Sequence, residues 1–177
     1  MEQVVLVNER DEEQGLMEKM EAHEKALLHR AFSVFVFNRS GELLLQQRAL
    51  DKYHSGGLWT NTCCSHPRPN ESVANAASRR LQEEMGFNTS LTKVFDFVYQ
   101  ASFENGLTEH EFDHVFVGYY DGHIEPDPIE VNAYTFRTMD SIQQSLETHD
   151  GLFTAWFEII FPKMKEWWQL NLAQKNA

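Results

Sequence analysis

Most apolar positions of this chain fall in short runs that are separated by polar, glycine-containing or proline-containing segments. Such runs predict β-strands. Two pairs of runs enclose a turn sequence and therefore predict hairpins, namely AFSVFVFN with LLLQQR around NRSGE, and VFDFVYQASF with EHEFDHVFVGYY around ENG. QVVLV at residues 3–7 predicts another strand, and IEPDPIEVNAYTFRT predicts a loop followed by a strand. We expect a mixed or antiparallel sheet.

Helical patterns occupy three other places. ESVANAASRRLQEEM, residues 71–85, contains no glycine or proline and is followed by Gly86, a typical helix stop. MEKMEAHEKALL, after a turn in NERDEEQG, is polar and favours helix. In GLFTAWFEIIFPKMKEWWQLNLAQ an aromatic-rich helical pattern meets Pro162, which should begin a new helix or kink the old one. Together these elements predict one α/β (α+β) domain that spans residues 1–177.

Composition narrows the class of protein. A chain of 177 residues is long enough for one domain with its own core. Apolar residues make up 42% and charged residues 24%, and no apolar run has the length that crosses a bilayer. The net charge of −12 disfavours nucleic-acid binding, which relies on cationic contacts. The first residues lack the pattern of a secretory signal, so we expect a cytoplasmic monomer or weak homodimer with reduced thiols, and no membrane partner.

The stretch NTCCSHPRPNE, residues 61–71, holds both cysteines of the chain. If this stretch is extended, its side chains alternate, so Cys64 and His66 share one face and Cys63 points to the other. One thiol would then face a pocket while its neighbour joins the core. The alternative is that both cysteines are small, buried and inert, which is the usual state of free cysteine.

Histidine and glutamate residues elsewhere add candidate metal ligands. Glu109 and Glu111 lie two apart on a predicted strand and face one way, although a solvated strand face explains this equally well. His23 and His29 are six apart; a helix-to-strand transition between them would let both reach one point, whereas isolated histidines are usually structural. With His66 they supply three imidazoles and two carboxylates, a set that suits Mn²⁺, Zn²⁺ or Mg²⁺.

The helix predicted at residues 71–85 carries charges next to its apolar face. Stepping about 100° per residue puts Arg80 and Glu84 at the rim of the apolar stripe, whereas Glu83 can remain in water. Arg80 and Glu84 are also four residues apart, so a simple salt bridge between them is the alternative to a functional role.

The segment SHPRPNESVANAASRRLQEEMGF, residues 65–87, resembles the Nudix box, and the residues in register with it are Glu71, Arg79, Glu83, Glu84 and Gly86. Two positions depart from that pattern. Ser65 replaces its first glycine, and Arg80 replaces the first metal-binding glutamate of the helix, which disfavours diphosphate hydrolysis. The segments LLHRAFSVFVFN, WTNTCCSHP, RRLQEEMG, EHEFDHVF and FTAWF together resemble the type I isopentenyl-diphosphate isomerases.

The resemblance implies a Nudix-like sheet flanked by helices, with N- and C-terminal extensions, and the metal-dependent interconversion of isopentenyl and dimethylallyl diphosphate in isoprenoid precursor synthesis. It assigns catalysis to Cys64 and Glu111, and an Mn²⁺, Zn²⁺ or Mg²⁺ site to His23, His29, His66, Glu109 and Glu111. It assigns Mg²⁺ on the substrate diphosphate to Glu84, the diphosphate itself to Lys19, Arg48, Lys52 and Arg80, and the hydrocarbon to Tyr99 and Trp156. A Nudix pyrophosphohydrolase and a non-enzymatic thiol and metal binding protein are the alternatives.

Overall fold

A nine-stranded mixed sheet with helices on both faces organises residues 2–148 and 150–172, which the structure, a computed structural model, describes. In chain order the elements are β1 (Gln3–Val7), β2 (Glu13–Glu18), α1 (Lys19–Glu24), β3 (His29–Phe37), β4 (Leu43–Arg48), β5 (Trp59–Thr60), β6 (Cys63–Ser65), α2 (Val73–Met85), β7 (Thr92–Ser102), β8 (Thr108–Tyr119), β9 (Val131–Arg137), α3 (Met139–Glu147) and α4 (Ala155–Leu172). The predicted fold class is confirmed.

Strand β3 explains the mixed character of the sheet. It pairs in parallel with β8, from His29 opposite Glu111 to Phe37 opposite Tyr119, and antiparallel with β1 and β6. The predicted hairpin of β7 with β8 is present as a long antiparallel pair. The predicted hairpin of β3 with β4 is limited to Phe37 and Leu43, because β3 pairs elsewhere with β6 and β8, and β4 with β5 and β9.

The alternation of side chains along β3 divides the core into two layers. Odd-numbered residues such as Phe35 pack in one apolar cluster with α3 and α4. Even-numbered residues such as Val34 pack on the other face with α2. Because β3 is covered on both faces, nearly all of its side chains are buried. The face on which a residue of this sheet lies therefore decides which layer its side chain enters.

Helix α2 has clear signals at both ends. The Ser72 side chain accepts a hydrogen bond from the N–H of Asn75, so the helix begins two residues after the predicted start. Gly86 ends it with a φ of 76°, and a Cβ at this position would lie 2.1 Å from the carbonyl oxygen of Glu125. This position therefore requires glycine.

Several predictions near the chain ends need correction. Residues 13–18 form β2, although residues 13–15 were predicted as part of a turn and residues 17 and 18 as part of a helix, because β1 offers them a pairing partner. Helix α1 is short because the chain turns through Ala26, with a φ of 52°, into β3. Pro162 starts no new helix, because α4 runs through it, and of the two predicted outcomes only the kink remains a prediction. Helix α3 was not predicted, and residues 173 and 174 of the predicted C-terminal helix lie outside the described residues. Within the described chain, no helix is long and apolar enough to cross a membrane.

Candidate active site

Four side chains from different parts of the fold converge on one point. They are His23 of α1, His29 of β3, His66 just after β6 and Glu111 of β8, and one ligand atom of each lies within 4.8 Å of the others. His29 and Glu111 are register partners in the parallel β3–β8 pair. The step from α1 to β3 brings the ring centres of His23 and His29 to 4.9 Å, as the sequence predicted. The structure therefore unites four of the five predicted ligands.

Backbone carbonyl groups fix the direction of two of these imidazole rings. Nδ1 of His23 donates to the carbonyl oxygen of Lys19 at 2.6 Å, and Nδ1 of His29 donates to that of Leu27 at 2.8 Å. With the proton on Nδ1, Nε2 of each ring keeps a free lone pair. Carbonyl acceptors of this kind commonly orient histidines that bind metal ions.

The Nε2 atoms of the cluster fit a divalent cation. Nε2 of His29 and Nε2 of His66 lie 3.2 Å apart, and the buried Nε2 of His23 has no hydrogen bond to any described residue. Oε1 of Glu111 lies 2.9 Å from Nε2 of His66. One cation among these atoms would satisfy all of their lone pairs, and three imidazole nitrogens with a carboxylate are ligands that zinc and similar ions accept.

Glu109, the fifth predicted ligand, lies outside this group but on the same face of β8. The Tyr99 hydroxyl donates to Oε2 of Glu111 at 2.7 Å and lies 3.1 Å from Oε2 of Glu109. Both carboxylates are buried, so the solvated-face alternative is wrong. Burial, and then the Glu111 carboxylate, raise the pKa of Glu109 well above its ordinary value. Burial acts on Glu111 too, but its side-chain contacts with His29 and His66 hold the pKa of its carboxyl well below that value.

The adjacent cysteines of β6 face opposite sides of the sheet, as predicted. Cys63 is fully buried among apolar residues on the α2 side. Cys64 is only partly buried and lines the same pocket as His66 and Glu111. Burial, opposed by Arg48 and reinforced by the carboxylates of the pocket, raises the pKa of the Cys64 thiol well above its ordinary value. Cys64 therefore carries its proton at neutral pH.

Basic side chains line another part of this pocket, and the four are Lys19, Arg48, Lys52 and Arg80. Arg80 donates to Oε1 of Glu84 at 2.6 Å, so the salt bridge considered from the sequence is present. Glu84 is buried and its Oε2 accepts a hydrogen bond from Gln46 at 2.8 Å. The pocket thus combines a thiol and buried carboxylates with a set of cations that suits an anion.

Aromatic rings complete the pocket, which is partly open to solvent. Trp156 is 4% exposed, and the Arg48 guanidinium lies 5.1 Å from its ring centre. The ring of His54 lies edge-on to Trp156, and burial, followed by Arg48, lowers the pKa of His54 to about 3. Sequence reasoning missed His54, Tyr53 and Glu130, which also line the pocket. The signal that could have found the first two is their place in KYHSGG, next to the predicted diphosphate residues.

Comparison with known proteins agrees with this geometry. The family profile described as the NUDIX domain matches residues 27–157, which include Cys64, Glu111 and Trp156. An isopentenyl-diphosphate Delta-isomerase of Pectobacterium atrosepticum is 49% identical over 174 residues, which cover 98% of this chain and 97% of the relative. The chain belongs to the isopentenyl-diphosphate Delta-isomerases of the Nudix family. A second isomerase of that name, from Burkholderia multivorans, is 51% identical over 162 residues, or 92% of each chain.

Solved structures place this isomerase chain in the same fold group. A protein from Deinococcus radiodurans aligns with a TM-score of 0.76 at 18% identity, covering 92% of this chain and 98% of its own. A MutT protein from Methanosarcina mazei aligns with a TM-score of 0.62 at 20% identity, covering 78% of this chain and 94% of its own. At such identities the likeness shows the fold alone.

Proposed function

We propose that this chain interconverts isopentenyl and dimethylallyl diphosphate, and that the reaction takes place in the pocket that Cys64, Glu111 and Trp156 line. The observation that carries the proposal is that a thiol and a buried carboxylate line one pocket with basic and aromatic side chains. The names of the relatives support the same activity. A pocket for metal alone would need neither the basic nor the aromatic residues.

The reaction needs two proton-transfer groups and no net change in protons. One group adds a proton to the terminal alkene carbon, which leaves a tertiary carbocation-like centre. The other removes a proton from the carbon that becomes part of the new double bond. We propose that Cys64 and Glu111, which both line the pocket, are these two groups, one the donor and the other the acceptor. Their roles exchange in the reverse reaction.

A metal ion would act through Glu111. We propose that His23, His29, His66 and Glu111 hold one Mn²⁺, Zn²⁺ or Mg²⁺, with Glu109 beside them as a further ligand. When bound, the cation supplies positive charge that fixes the carboxylate and lowers its proton affinity. The short link between Cys64 and His66 keeps the thiol near this group.

The two ends of the substrate need opposite environments. Trp156 and Tyr99 offer ring surfaces to the hydrocarbon, where a π face stabilises positive charge without capturing it as a nucleophile would. At the other end we propose Lys19, Arg48, Lys52 and Arg80 as partners of the diphosphate, and Glu84 as a ligand of the Mg²⁺ that accompanies it. These cations and the metal reverse the sign of an acidic protein locally.

Hydrolysis of a diphosphate is the less favoured reaction. Nudix hydrolases carry a metal-binding glutamate where this chain has Arg80, and the Arg80 guanidinium contacts the carboxylates of both Glu83 and Glu84. A water-activating metal cluster on α2 would therefore lack a ligand and meet a positive charge.

Purified protein incubated with isopentenyl diphosphate and Mg²⁺ tests the proposal. An acid-labile allylic product without phosphate release is the expected result. Phosphate release would indicate a hydrolase, and neither product nor phosphate would indicate a binding protein. A strong reductant belongs in the assay because Cys64 must remain a thiol, and that requirement also favours a reducing compartment such as the cytoplasm.

A further inference from the structure

Most cations of the pocket are already paired with a carboxylate. The pairs are Lys19 with Glu2, Lys52 with Glu130, and Arg80 with Glu84. Among the residues that the structure describes, Arg48 is the pocket cation without a carboxylate ion pair. A diphosphate ester carries more than one negative charge at neutral pH. Without a metal ion, it would meet these carboxylates as well as the cations.

Glu130 differs from the other carboxylates because it bridges two cations. One of its oxygens pairs with Nζ of Lys52, and Oε1 lies 3.3 Å from Nη2 of Arg80. Lys52 belongs to the loop after β4 and Arg80 to α2, so nothing in the chain itself fixes their spacing. The carbonyl oxygen of Glu130 also accepts a hydrogen bond from the N–H of Ala49 at 3.0 Å, in that same loop. Glu130 therefore holds the loop through both its backbone and its side chain.

The Glu130 carboxyl is charged at neutral pH. Burial alone would raise the pKa of Glu130, but the hydrogen bond from Lys52 and the charge of Arg80 hold it below its ordinary value. Its charge cancels about one of the two positive charges that it contacts. An approaching diphosphate would gain little from Lys52 and Arg80 unless a divalent cation came with it.

We propose that Glu130 is a specificity-determining residue of the diphosphate site: it spaces Lys52 and Arg80 and makes the pocket select metal-bound over free diphosphate. The inference rests on the proposed function, since it concerns the same site. Glutamine in place of Glu130 keeps an acceptor oxygen and nearly the same volume but removes the charge. Two like unit charges about 6 Å apart in a medium of intermediate dielectric repel each other enough to change an affinity about tenfold. Free diphosphate should therefore bind the variant about tenfold more tightly.

Titration calorimetry with inorganic pyrophosphate tests this on the desalted full-length protein, with and without saturating Mg²⁺. Glu130→Gln should tighten binding about tenfold without Mg²⁺ and change it much less with Mg²⁺. Glu125→Gln is the matched control, because Glu125 is exposed, lies on the same segment and changes the net charge equally. Glu130→Asp keeps the charge, so its affinity for pyrophosphate should depend on Mg²⁺ as that of the wild-type protein does. This variant provides a second test if the glutamine variant folds poorly.

The outcomes separate the inference from the function on which it rests. An unchanged ratio of the two affinities in folded Glu130→Gln overturns the inference, as does an equal loss of both affinities, which would make Glu130 only a support of the loop. If the wild-type protein isomerises its substrate and Glu130→Gln leaves the ratio of the two affinities unchanged, the inference is wrong and the proposed function stands. A wild-type protein that binds pyrophosphate in neither condition overturns both. Binding with the expected ratio but no isomerisation overturns the proposed function and supports the inference.

Discussion

The hydroxyl group of Tyr99 lies 2.7 Å from Oε2 of Glu111, directly across the antiparallel β7–β8 pair in which the two residues are register partners. Register partners on one face of a sheet are the closest cross-strand neighbours, so this contact follows from strand pairing. Burial, and then the carboxylates beside it, raise the pKa of Tyr99 well above its ordinary value, so the phenol remains a donor. Tyr99 therefore orients a proposed proton-transfer group besides offering a ring to the pocket.

Tyr99→Phe should distinguish the contribution of the hydroxyl group to activity from that of the ring. The variant keeps the ring but removes a hydrogen bond to a charged group, worth about 1.5–3 kcal/mol, so we expect kcat to fall about 10- to 100-fold with KM nearly unchanged. Steady-state kinetics with isopentenyl diphosphate measures both. If Tyr99→Phe keeps full kcat while Tyr99→Leu loses it, the ring alone matters.

The two cysteines should respond in opposite ways to replacement by alanine. Cys64→Ala, like Glu111→Gln, removes a proton-transfer group and should lower kcat by at least about 10²- to 10⁴-fold. Cys63→Ala should keep most activity but lower the free energy of unfolding by about 1 kcal/mol, because Cys63 packs in the core beside α2. Urea unfolding and activity together check this. An inactive Cys63→Ala protein with an active Cys64→Ala protein would reverse the proposed roles.

Patterns of neighbouring residues are enough to predict much of the site. The two-residue period of a strand separates Cys63 from Cys64, and it puts Glu109 and Glu111 on one face. The glycine after α2 is an equally local signal. Such features depend on a few consecutive residues, which is why the sequence reveals them.

Features that depend on contacts between residues far apart in the sequence were not predicted. β2 forms because β1 pairs with it. β3 and β4 pair over only a short length because other strands form hydrogen bonds with the rest of their edges. The salt bridge between Glu130 and Lys52 joins residues far apart in the sequence, so no periodic pattern of residues predicts it. The meeting of His23 and His66 likewise depends on sheet register: the sequence offers both as candidate metal ligands, but their spacing alone does not bring them together.

Removal of an imidazole should reduce metal binding. His66→Ala leaves an incomplete ligand set, so we expect metal content and activity to fall together, by about 10- to 100-fold in affinity or more. Elemental analysis of the purified protein gives the metal content, and chelation of the wild-type protein should abolish activity until metal is restored. His123→Ala is the control, since His123 is exposed. Full activity of verified metal-free protein would contradict the metal proposal.

The ion pair of Glu71 with Arg79 should make stability depend on pH. Arg79 donates to both carboxylate oxygens of Glu71, at 2.7 and 2.8 Å, and these bonds hold the pKa of Glu71 below its ordinary value of 4.5. A lowered folded-state pKa stabilises the fold above the unfolded pKa, and the gain disappears as the pH falls through the folded value. Glu71→Gln should cost about 1–2 kcal/mol at pH 7 and much less in acid. Urea unfolding at both pH values measures this, and an equal cost at both would contradict the assignment.

Trp156 offers a test of carbocation stabilisation. If its ring stabilises the developing positive charge, Trp156→Phe should retain some activity and Trp156→Leu much less, because phenylalanine keeps a weaker π face while leucine offers only bulk. Loss of a desolvated cation–π contact worth about 2 kcal/mol would lower kcat on the order of 30-fold. Kinetics of both variants with isopentenyl diphosphate provide the comparison.

The position of Arg48 over the Trp156 ring supplies the competing explanation and decides how these kinetics are interpreted. If the ring mainly holds Arg48 for the diphosphate, both variants should raise KM, because the diphosphate is charged in the ground state and the transition state alike. If the ring stabilises the cation, the loss falls on kcat, because the hydrocarbon is uncharged until the proton arrives. Arg48→Lys should raise KM whichever role the ring has, so it provides the reference for a pure loss of diphosphate binding. Equal kcat for folded Phe and Leu variants would leave Trp156 as a support for Arg48 and the core.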